Sequence, residues 1–536
     1  MISFSAPVRS PGRKRRPADP PDQPGSAPEE SVDEPDKAAG GLGEGPGQAA
    51  GEPGRPATGL GEGSGRHART ALAAWVGIIS AGFAVGAVLR AAGYLPVDRF
   101  PPLHASPRLL LGPLLPAAAL ALVAVAVLPV AARRLPWGAL LVVAWLGSVL
   151  WAVALQLPDG LARPLTAPTE YLAGLPAVGD DPLRWLRGFA RDMQAYPTHV
   201  KGHPPLPTLI LWALRYAGLR DAGWAAALVI VAGGSASAAI AVTVRRLAGA
   251  ETARRAVPFL VLAPTALWVA TSVDALFLGV AAWAVALLTV AAMPLPAPRG
   301  ARSAEPPAMP LAARSAVPSS AVSSAGALAG RWRVVAAAFA GGLLLGSLPY
   351  LSYGLLPVFA LPLAVLLLTR PPRPVLGALA VGCLVVPVAF TLAGFSWFAG
   401  VAGTHAAWAA GGGARARPYA YFLLGDLSVL ALLIGPATAM ALPAVLGRAV
   451  PLARAMVRRA APVGGGRLGL PVAAALIGMV ALDLSGVTRG EVERIWIPYA
   501  AWTTIACAVH RPPARTLLLA QAVTALTVQA LVRSPW

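Results

Sequence analysis

The sequence predicts an all-α polytopic membrane protein. Hydrophobic residues make up 56% of the 536 residues and charged residues only 13%, which is too little charge to cover the surface of a soluble protein. The mean hydropathy is +0.63. The apolar residues are gathered into segments whose lengths suit membrane helices, and short polar loops that contain arginines separate them.

The apolar segments set the expected number of helices. Thirteen candidate spans lie at about 71–91, 109–131, 137–157, 222–244, 256–272, 274–292, 333–351, 355–369, 374–395, 419–446, 469–484, 495–510 and 514–532. We therefore expect about 13 transmembrane helices in one polytopic domain over residues 71–536.

Two segments have the composition of flexible chain. Residues 1–70 are dominated by Pro, Gly, Glu, Asp and Ser and cannot bury enough apolar surface to offset chain entropy, which predicts a disordered cytoplasmic tail. Residues 293–332 are rich in Pro, Ala and Ser, which predicts a flexible cytoplasmic loop.

The arginines predict the orientation of the chain. The formal net charge is +20, but the arginines lie in short clusters between apolar segments, so orientation in a membrane explains them better than a nucleic-acid partner. With the tail inside, every large basic cluster falls on the cytoplasmic side. This holds only if residues 206–219 do not span. We expect a multi-pass cell-membrane protein with a cytoplasmic N-terminus and an external C-terminus.

The acids are concentrated on the opposite side. Beyond the tail there are fourteen, and all but Glu251 and Glu305 fall in loops predicted to be external or near external helix ends. Carboxylates contribute little to orientation. Their concentration indicates an external site.

The longest external loop, residues 158–221, is predicted to carry amphipathic interfacial helices. Asp181 followed by Pro182 is typical of an N-cap and first helical turn. Leu183, Leu186 and Met193 then recur at helical spacing. Such a helix lies on the outer membrane surface, where it is either a lid or spacer or part of a substrate site.

Glu170 in the same loop is the first candidate catalytic residue. An ionisable group near membrane depth is a functional candidate, and this carboxylate is suited to act as general base for an acceptor hydroxyl. The alternative is a solvated loop acid. Asp180 is a second candidate base, whereas capping explains Asp181.

The stretch YPTHVKGHPPLP supplies the polar candidates Tyr196, His199, Lys201 and His203. Lysine suits a phosphate as a point charge. Phosphate or sugar contact, anchoring at the interface and metal ligation by the histidines stay open. Glycine and prolines break the helix that would align the two histidines, so we assign no metal or other cofactor.

Two later segments add charge at the same side. Asp274 lies between two spans, where it serves either a helix start or a site. The last external loop carries Arg489, Glu491 and Arg494. So dense a cluster between apolar helices predicts either an internal salt-bridge network or an ionic ligand such as a phosphate.

Together these features resemble the GT-C glycosyltransferases, especially the branch with protein O-mannosyltransferases and lipid A aminoarabinose transferases. The resemblance is carried by the many spans, the acid in a large external loop, HPPL after an amphipathic helix, Asp274 and the late charged stretch GEVERIW, which resembles a motif of actinobacterial relatives.

That resemblance implies an external enzyme that moves a sugar from a polyprenyl-phosphate donor to an extracytoplasmic acceptor. Glu170 would be the general base, Asp274 the second acid, and Lys201, Arg489 and Arg494 the phosphate contacts. The family more often places its acid after the first span, as an aspartate in a short acidic motif. Here the assigned acid, Glu170, follows the third.

Two other functions compete with this one. A transporter or flippase for a lipid-linked or anionic solute would place ionisable residues near the bilayer midplane and show repeated halves. The sequence has acids at one face and no evident repeat, which favours the enzyme. A structural or assembly protein would tolerate substitution of any single external acid.

Overall fold

A computed structural model describes residues 59–293, 319–411, 417–457, 467–510 and 514–535. These residues fall in one compact unit, Thr58–Trp536. Most of the predicted tail and most of the predicted loop at 293–332 lie outside the described residues.

The described residues are mostly helical. The α-helices are α1 (Gly59–Ala91), α2 (Leu115–Arg134), α3 (Trp137–Gln156), α4 (Tyr171–Val178), α5 (Pro182–Gly188), α6 (Thr198–Lys201), α7 (Leu206–Tyr216), α8 (Ala222–Ala248), α9 (Ala250–Val261), α10 (Asp274–Ala292), α11 (Ser319–Leu351), α12 (Ala360–Thr369), α13 (Arg373–Leu392), α14 (Trp397–Ala410), α15 (Tyr419–Val457), α16 (Gly469–Ser485), α17 (Val492–Ile495), α18 (Ile497–Thr503) and α19 (Arg515–Leu531).

Shorter elements join these helices. The 3-10 helices are Gly112–Leu114, Leu157–Asp159, Arg163–Thr166, Met193–Ala195, Pro264–Trp268, Tyr353–Phe359 and Thr504–Val509. Two strands of two residues each, β1 (Ser106–Pro107) and β2 (Val532–Arg533), pair antiparallel. This pair ties the loop after α1 to the segment after α19.

The helix lengths fit a multi-pass membrane protein. Eight helical stretches are long and apolar enough to cross a bilayer: Arg66–Ala91, Gly112–Arg134, Trp137–Asp159, Ala222–Ala248, Asp274–Ala292, Gly330–Leu351, Arg373–Leu392 and Tyr419–Arg454. Four shorter apolar helices are Tyr353–Thr369, Gly469–Ser485, Ile497–Val509 and Arg515–Leu531. The all-α polytopic architecture is therefore as predicted at this level.

Some boundaries differ from the sequence-based expectation. α1 begins at Gly59 and α11 at Ser319, about a dozen residues before the apolar segments predicted at 71 and 333. Hydropathy marks where a chain enters lipid, whereas a helix continues as long as its backbone hydrogen bonds do. α7 has 11 residues, which is too short to span, as the arginine argument requires.

The bundle has two chemically different ends, which α10 separates. Asp274 begins this helix and Ala292 ends it. Beside its C-terminal end, Arg246 donates to the main-chain carbonyl of Met293, and Arg245 lies 4.6 Å from the ring centroid of Trp137. We call this the basic end. We call the opposite end, around Asp274, the network end.

Close packing of α8 against α10 fixes the position of Asp274. A Cβ at Gly279 would lie 2.4 Å from the carbonyl oxygen of Ala232, and one at Gly233 would lie 2.8 Å from the Cβ of Ala275. Small residues let two membrane helices approach in this way. The first turn of α10 is therefore held firmly in the bundle.

Candidate functional site

Arg494 is the centre of a buried group of charged side chains. It lies in α17. The two residues that precede this helix, Gly490 (φ 70°) and Glu491 (φ 59°), have left-handed backbone. The N–H of Gly490 donates to the buried carboxylate of Asp426 at 3.3 Å. A Cβ at Gly490 would lie 2.9 Å from the ring of Phe422. Glycine is thus required here both for its conformation and for the space.

The guanidinium of Arg494 joins two carboxylates and a histidine. Its Nη1 donates to Oδ2 of Asp274 at 2.8 Å, and its Nη2 donates to Oε2 of Glu491 at 2.8 Å. The same Nη2 lies 2.9 Å from Nε2 of His199. The side chains of Arg494 and Asp274 are 6% and 7% exposed. Removal of Arg494 would leave the buried charge of Asp274 uncompensated.

Asp274 makes this contact from the start of α10. The N-cap residue is Val273, which has no side chain that caps the helix. The field of the helix N-terminus stabilises a negative charge in the first turn. The sequence allows two roles for Asp274, a helix start or part of a site. Its hydrogen bond to Arg494 indicates that it does more than start the helix.

Glu170 and His199 extend the group into the large loop. Nδ1 of His199 lies 2.8 Å from Oε1 of Glu170, and their side chains are 7% and 6% exposed. The N–H of His199 donates to the carbonyl of Thr169 at 2.9 Å. A Cβ at Gly174 would lie 2.6 Å from Cγ2 of Val200. This tight contact between α4 and α6 holds the acid and the histidine side by side.

The partners of His199 assign its tautomer. A guanidinium only donates hydrogen bonds, so Nε2 of His199 accepts from Arg494. The ring hydrogen is then on Nδ1, which faces Glu170. The histidine therefore connects the carboxylate of Glu170 with the guanidinium of Arg494.

Arg417 forms a second arm on the other side of Glu491. Its Nη1 donates to Oε1 of Glu491 at 2.8 Å. Its Nη2 and Nε donate to Oδ1 and Oδ2 of Asp98 at 3.2 and 3.3 Å. Asp98 is fully buried, and its Oδ1 lies 2.7 Å from Nδ1 of His104. We call the whole set the charge network: Asp98, His104, Glu170, His199, Asp274, Arg417, Glu491 and Arg494.

The charges of the network reinforce one another. Burial alone would raise the pKa of Glu491, but the guanidinium groups of Arg494 and Arg417 outweigh it and hold that pKa far below its ordinary value. Burial would lower the pKa of Arg494 and of Arg417, but the neighbouring carboxylates raise both. With its acids ionised, the network has four carboxylates and two guanidinium groups.

Glu493 is a buried acid beside the network. Its side chain is 1% exposed, and its Oε2 has no hydrogen-bond partner among the described residues. Burial raises the pKa of Glu493 to about 7. The carboxyl therefore changes its charge near neutral pH.

Aromatic rings form an apolar wall next to His199. The ring of Tyr171 is stacked at 5.9 Å from that of His199, and its edge contacts His203 at 5.6 Å. Phe277 lies 6.0 Å from His203. Burial lowers the pKa of His203 to about 4, so the ring is neutral, and its Nδ1–H donates to the carbonyl of His199 at 2.9 Å.

Other predicted site residues lie outside the network. Tyr196 is buried, and its ring stacks on Phe189 at 5.4 Å. Lys201 ends α6, and its carbonyl accepts from Thr404 at 2.9 Å. The guanidinium of Arg489 lies over the ring of Tyr419 at 5.2 Å. The structure gives none of these three a contact with Glu170 or Arg494.

Asp180 and Asp181 have different surroundings from Glu170. Asp180 is exposed in the turn after α4. Asp181 accepts from the N–H of Arg184 at 2.9 Å, which confirms the predicted N-cap. The helix that follows, α5, ends at Gly188 and leaves Leu183 51% exposed, so the amphipathic helix is shorter than the apolar spacing predicts.

Comparison with protein-family models, with curated proteins and with solved structures finds no match to this chain.

Sequence patterns did not identify Asp98 and His104 as site residues, and they did not distinguish Arg417 from other arginines. Asp98 lies in the loop after α1, where the resembled family more often has its acid. The position of the acid in the resembled family would have identified Asp98. Arg417 follows a glycine tract and had no distinguishing pattern, because its partners Asp98 and Glu491 are 319 and 74 residues away.

The network is an array of ion pairs and has no evident metal site. Among the described residues, no group of three or more His, Cys, Asp or Glu side chains is placed to hold a metal ion. Arg494 and Arg417 lie between the carboxylates. The chemistry that this arrangement can support is proton transfer and the binding of an anion.

Proposed function

We propose that the chain is a GT-C-like membrane glycosyltransferase that moves a sugar from a polyprenyl-phosphate donor to an extracytoplasmic acceptor. The observation that carries the proposal is the charge network itself. It joins a loop carboxylate, a histidine and two arginines at one end of a membrane bundle. Proton removal and phosphate departure need these two kinds of group near each other.

Glu170 is the proposed general base. Among the described residues its only side-chain partner is His199, through Oε1. Both oxygens of Asp98, by contrast, lie within hydrogen-bond distance of Arg417. A base must accept a proton from its substrate, which favours Glu170 over Asp98. In this scheme Asp274 positions Arg494, and Asp98 positions Arg417.

In the proposed reaction the acceptor hydroxyl attacks the anomeric carbon of the donor. Glu170 takes the hydroxyl proton, a carbon–oxygen bond forms to the acceptor, and the bond from the anomeric carbon to the phosphate oxygen breaks. The phosphate leaves with both bonding electrons. Arg494 and Arg417 would stabilise the negative charge on it through charge-assisted hydrogen bonds.

The aromatic wall is the proposed contact surface for the sugar. Tyr171, His203 and Phe277 present ring surfaces beside His199. Burial raises the pKa of Tyr171 well above its ordinary value, so its hydroxyl stays protonated and can donate a hydrogen bond. We propose that these rings contact the donor sugar while Glu170 faces the acceptor.

The proposed orientation puts the network end outside the cell. We propose that the four shorter apolar helices, and α9 with the 3-10 helix after it, also cross the membrane, which makes thirteen crossings. The arginines of the basic end then face the cytoplasm, as the positive-inside rule requires. The donor phosphate would lie at the external surface, close to Arg417 and Arg494.

A transfer assay tests the function. Purified protein in nanodiscs is given radiolabelled polyprenyl-phosphate sugars of several kinds together with extracted cell-envelope acceptors. Glu170→Gln should lower the rate about 100-fold or more, and Asp98→Asn and Asp274→Asn should lower it less. Glu251→Gln, at the basic end, is the matched control and should keep the wild-type rate. Transfer from no donor, or an unchanged rate in Glu170→Gln, would refute the proposal.

One observation favours transport as a second candidate. α15 is interrupted at Gly435 (φ 69°), which Pro436 follows, and interrupted helices are typical of transporter substrate sites. Here the amide of Gln521 fills the break, since it donates to Ile434 at 2.9 Å and accepts from Ala437 at 3.3 Å. Movement of a fluorescent polyprenyl phosphate between leaflets of proteoliposomes, lost in Gln521→Leu, would support transport.

A further inference from the structure

We propose that the carboxylate of Glu491 fills an anion site between Arg417 and Arg494, and that a phosphate ester takes this position when Glu491 moves out. The proposal rests on the proposed function for the source of that phosphate, a lipid-phosphate sugar donor. The carboxylate of Glu491 thus occupies the ligand site when no phosphate is bound.

The geometry around Glu491 is that of a clamp for an oxyanion. Its Oε1 accepts from Nη1 of Arg417 at 2.8 Å, and its Oε2 accepts from Nη2 of Arg494 at 2.8 Å. Two guanidinium groups that each hold a separate oxygen of one anion are equally suited to a phosphate. Each arginine also has its own permanent carboxylate, Asp98 or Asp274.

The charge balance requires exchange rather than addition. In the clamp, two guanidinium groups face three carboxylates, those of Asp98, Asp274 and Glu491. A phosphate that entered beside Glu491 would add negative charge to a buried site that already has an excess. Replacement of Glu491 by a phosphate monoanion leaves the charge unchanged.

Glu491 is also the carboxylate that can leave. Its side chain is 22% exposed, whereas those of Asp98 and Asp274 are 1% and 7% exposed. Its φ of 59° is unfavourable for a residue with a Cβ, and Gly490 before it has the conformational freedom of glycine. Rotation of this turn would move the carboxylate outward while α17 keeps Arg494 in place.

A binding experiment tests the proposal. The probes are farnesyl phosphate, inorganic phosphate and farnesol, and their affinities for the protein in nanodiscs are measured by calorimetry at about pH 5, below the second pKa of about 6 of a phosphate monoester, so that the phosphates are monoanions. Glu491→Gln removes the competing charge and should bind farnesyl phosphate about tenfold more tightly than wild type, a change of about 1.4 kcal/mol. Glu491→Asp, whose shorter side chain cannot reach both arginines as well, should give a smaller gain.

Two controls separate the clamp from a general effect of charge. Glu251→Gln removes the same charge at the basic end and should bind farnesyl phosphate as wild type does. Arg417→Gln placed in the Glu491→Gln protein should abolish the gain. Thermal melting of each preparation checks that the variants are folded.

The outcomes distinguish the proposal from the proposed function. An equal gain for inorganic phosphate would support the anion site and identify free phosphate as its ligand. No gain in either Glu491 variant, an equal gain for farnesol, or a gain that survives loss of Arg417 would overturn it. Tighter binding by Glu491→Gln without sugar transfer from any donor would refute the transferase alone.

Discussion

The two ends of the bundle both contain arginines, but in opposite settings. At the network end, Arg417 and Arg494 are 16% and 6% exposed and bond to carboxylates. At the basic end, Arg246 and Arg254 are partly exposed and donate to main-chain carbonyls. Carbonyls near a helix end and water satisfy an exposed guanidinium, whereas a buried one needs an anion. The arginines of the basic end are therefore satisfied without carboxylates, whereas those of the network depend on them.

Removal of a network arginine should have the largest effect on stability. Arg494→Gln leaves Asp274 and Glu491 buried with less countercharge, and we expect a loss of about 3–5 kcal/mol in the free energy of unfolding. Arg255→Gln at the basic end should change it by less than about 0.5 kcal/mol. Thermal unfolding in detergent measures both. Equal shifts of the melting temperature in the two variants would contradict the proposed difference between the ends.

Glu493 should make the network end sensitive to pH. Its pKa of about 7 in the folded protein lies above that of an unfolded glutamate, so its contribution to stability is fully present below about pH 4.5 and is lost as the pH rises through 7. Glu493→Gln should therefore stabilise the protein at pH 8, by up to about 3 kcal/mol, with little change at pH 5. Melting curves at the two pH values test this, and a variant equally stable or less stable at pH 8 would contradict it.

A substitution that disturbs the close packing in the large loop should lower the stability by a smaller but measurable amount. Gly174→Ala places a Cβ 2.6 Å from Val200 and should cost about 1–3 kcal/mol while it moves His199 away from Glu170. Gly138→Ala in α3 is the matched control, because nothing lies within 4 Å of its Cβ, and it should be neutral or slightly stabilising. A Gly174→Ala protein as stable as the control would show that α4 and α6 are loosely packed.

Accessibility from the two sides of the cell tests the orientation with the least disturbance. Single cysteines replace Arg184 in the large loop and Glu251 at the basic end, in a protein whose Cys383 and Cys507 are changed to serine. Both positions are exposed. An impermeant maleimide added to intact cells should label the first and not the second. The reverse pattern would invert the proposed topology.

The sequence predicted the membrane class, the non-spanning α7 and five members of the charge network. Glu170, His199, Asp274, Glu491 and Arg494 were recognisable because ionisable groups near membrane depth are costly unless they bind something. Their contacts were not predictable from the sequence, because Asp274 and Arg494 are 220 residues apart and only helix packing brings them together.

The candidates outside the network show the limit of arguments from local sequence. Lys201 and His203 are two residues apart, yet His203 lies against Tyr171, whereas the contacts given for Lys201 are main-chain hydrogen bonds with Thr404 and Pro197. In a helical turn, neighbouring positions point in different directions. Arg489 and Arg494 are separated by the left-handed turn at Gly490 and Glu491, and the guanidinium of Arg489 lies over Tyr419.

The most direct test of the central claim, that the network end is a catalytic site, measures transfer and melting on the same preparations of wild type, Glu170→Gln and Glu251→Gln. We predict that Glu170→Gln loses about 100-fold or more of the transfer rate but melts close to wild type, because the carboxamide keeps the shape of the side chain and Asp98, Asp274 and Glu491 still pair with the two arginines. Glu251→Gln should match wild type in both. An unchanged transfer rate in Glu170→Gln, or a loss fully explained by unfolding, would contradict the claim.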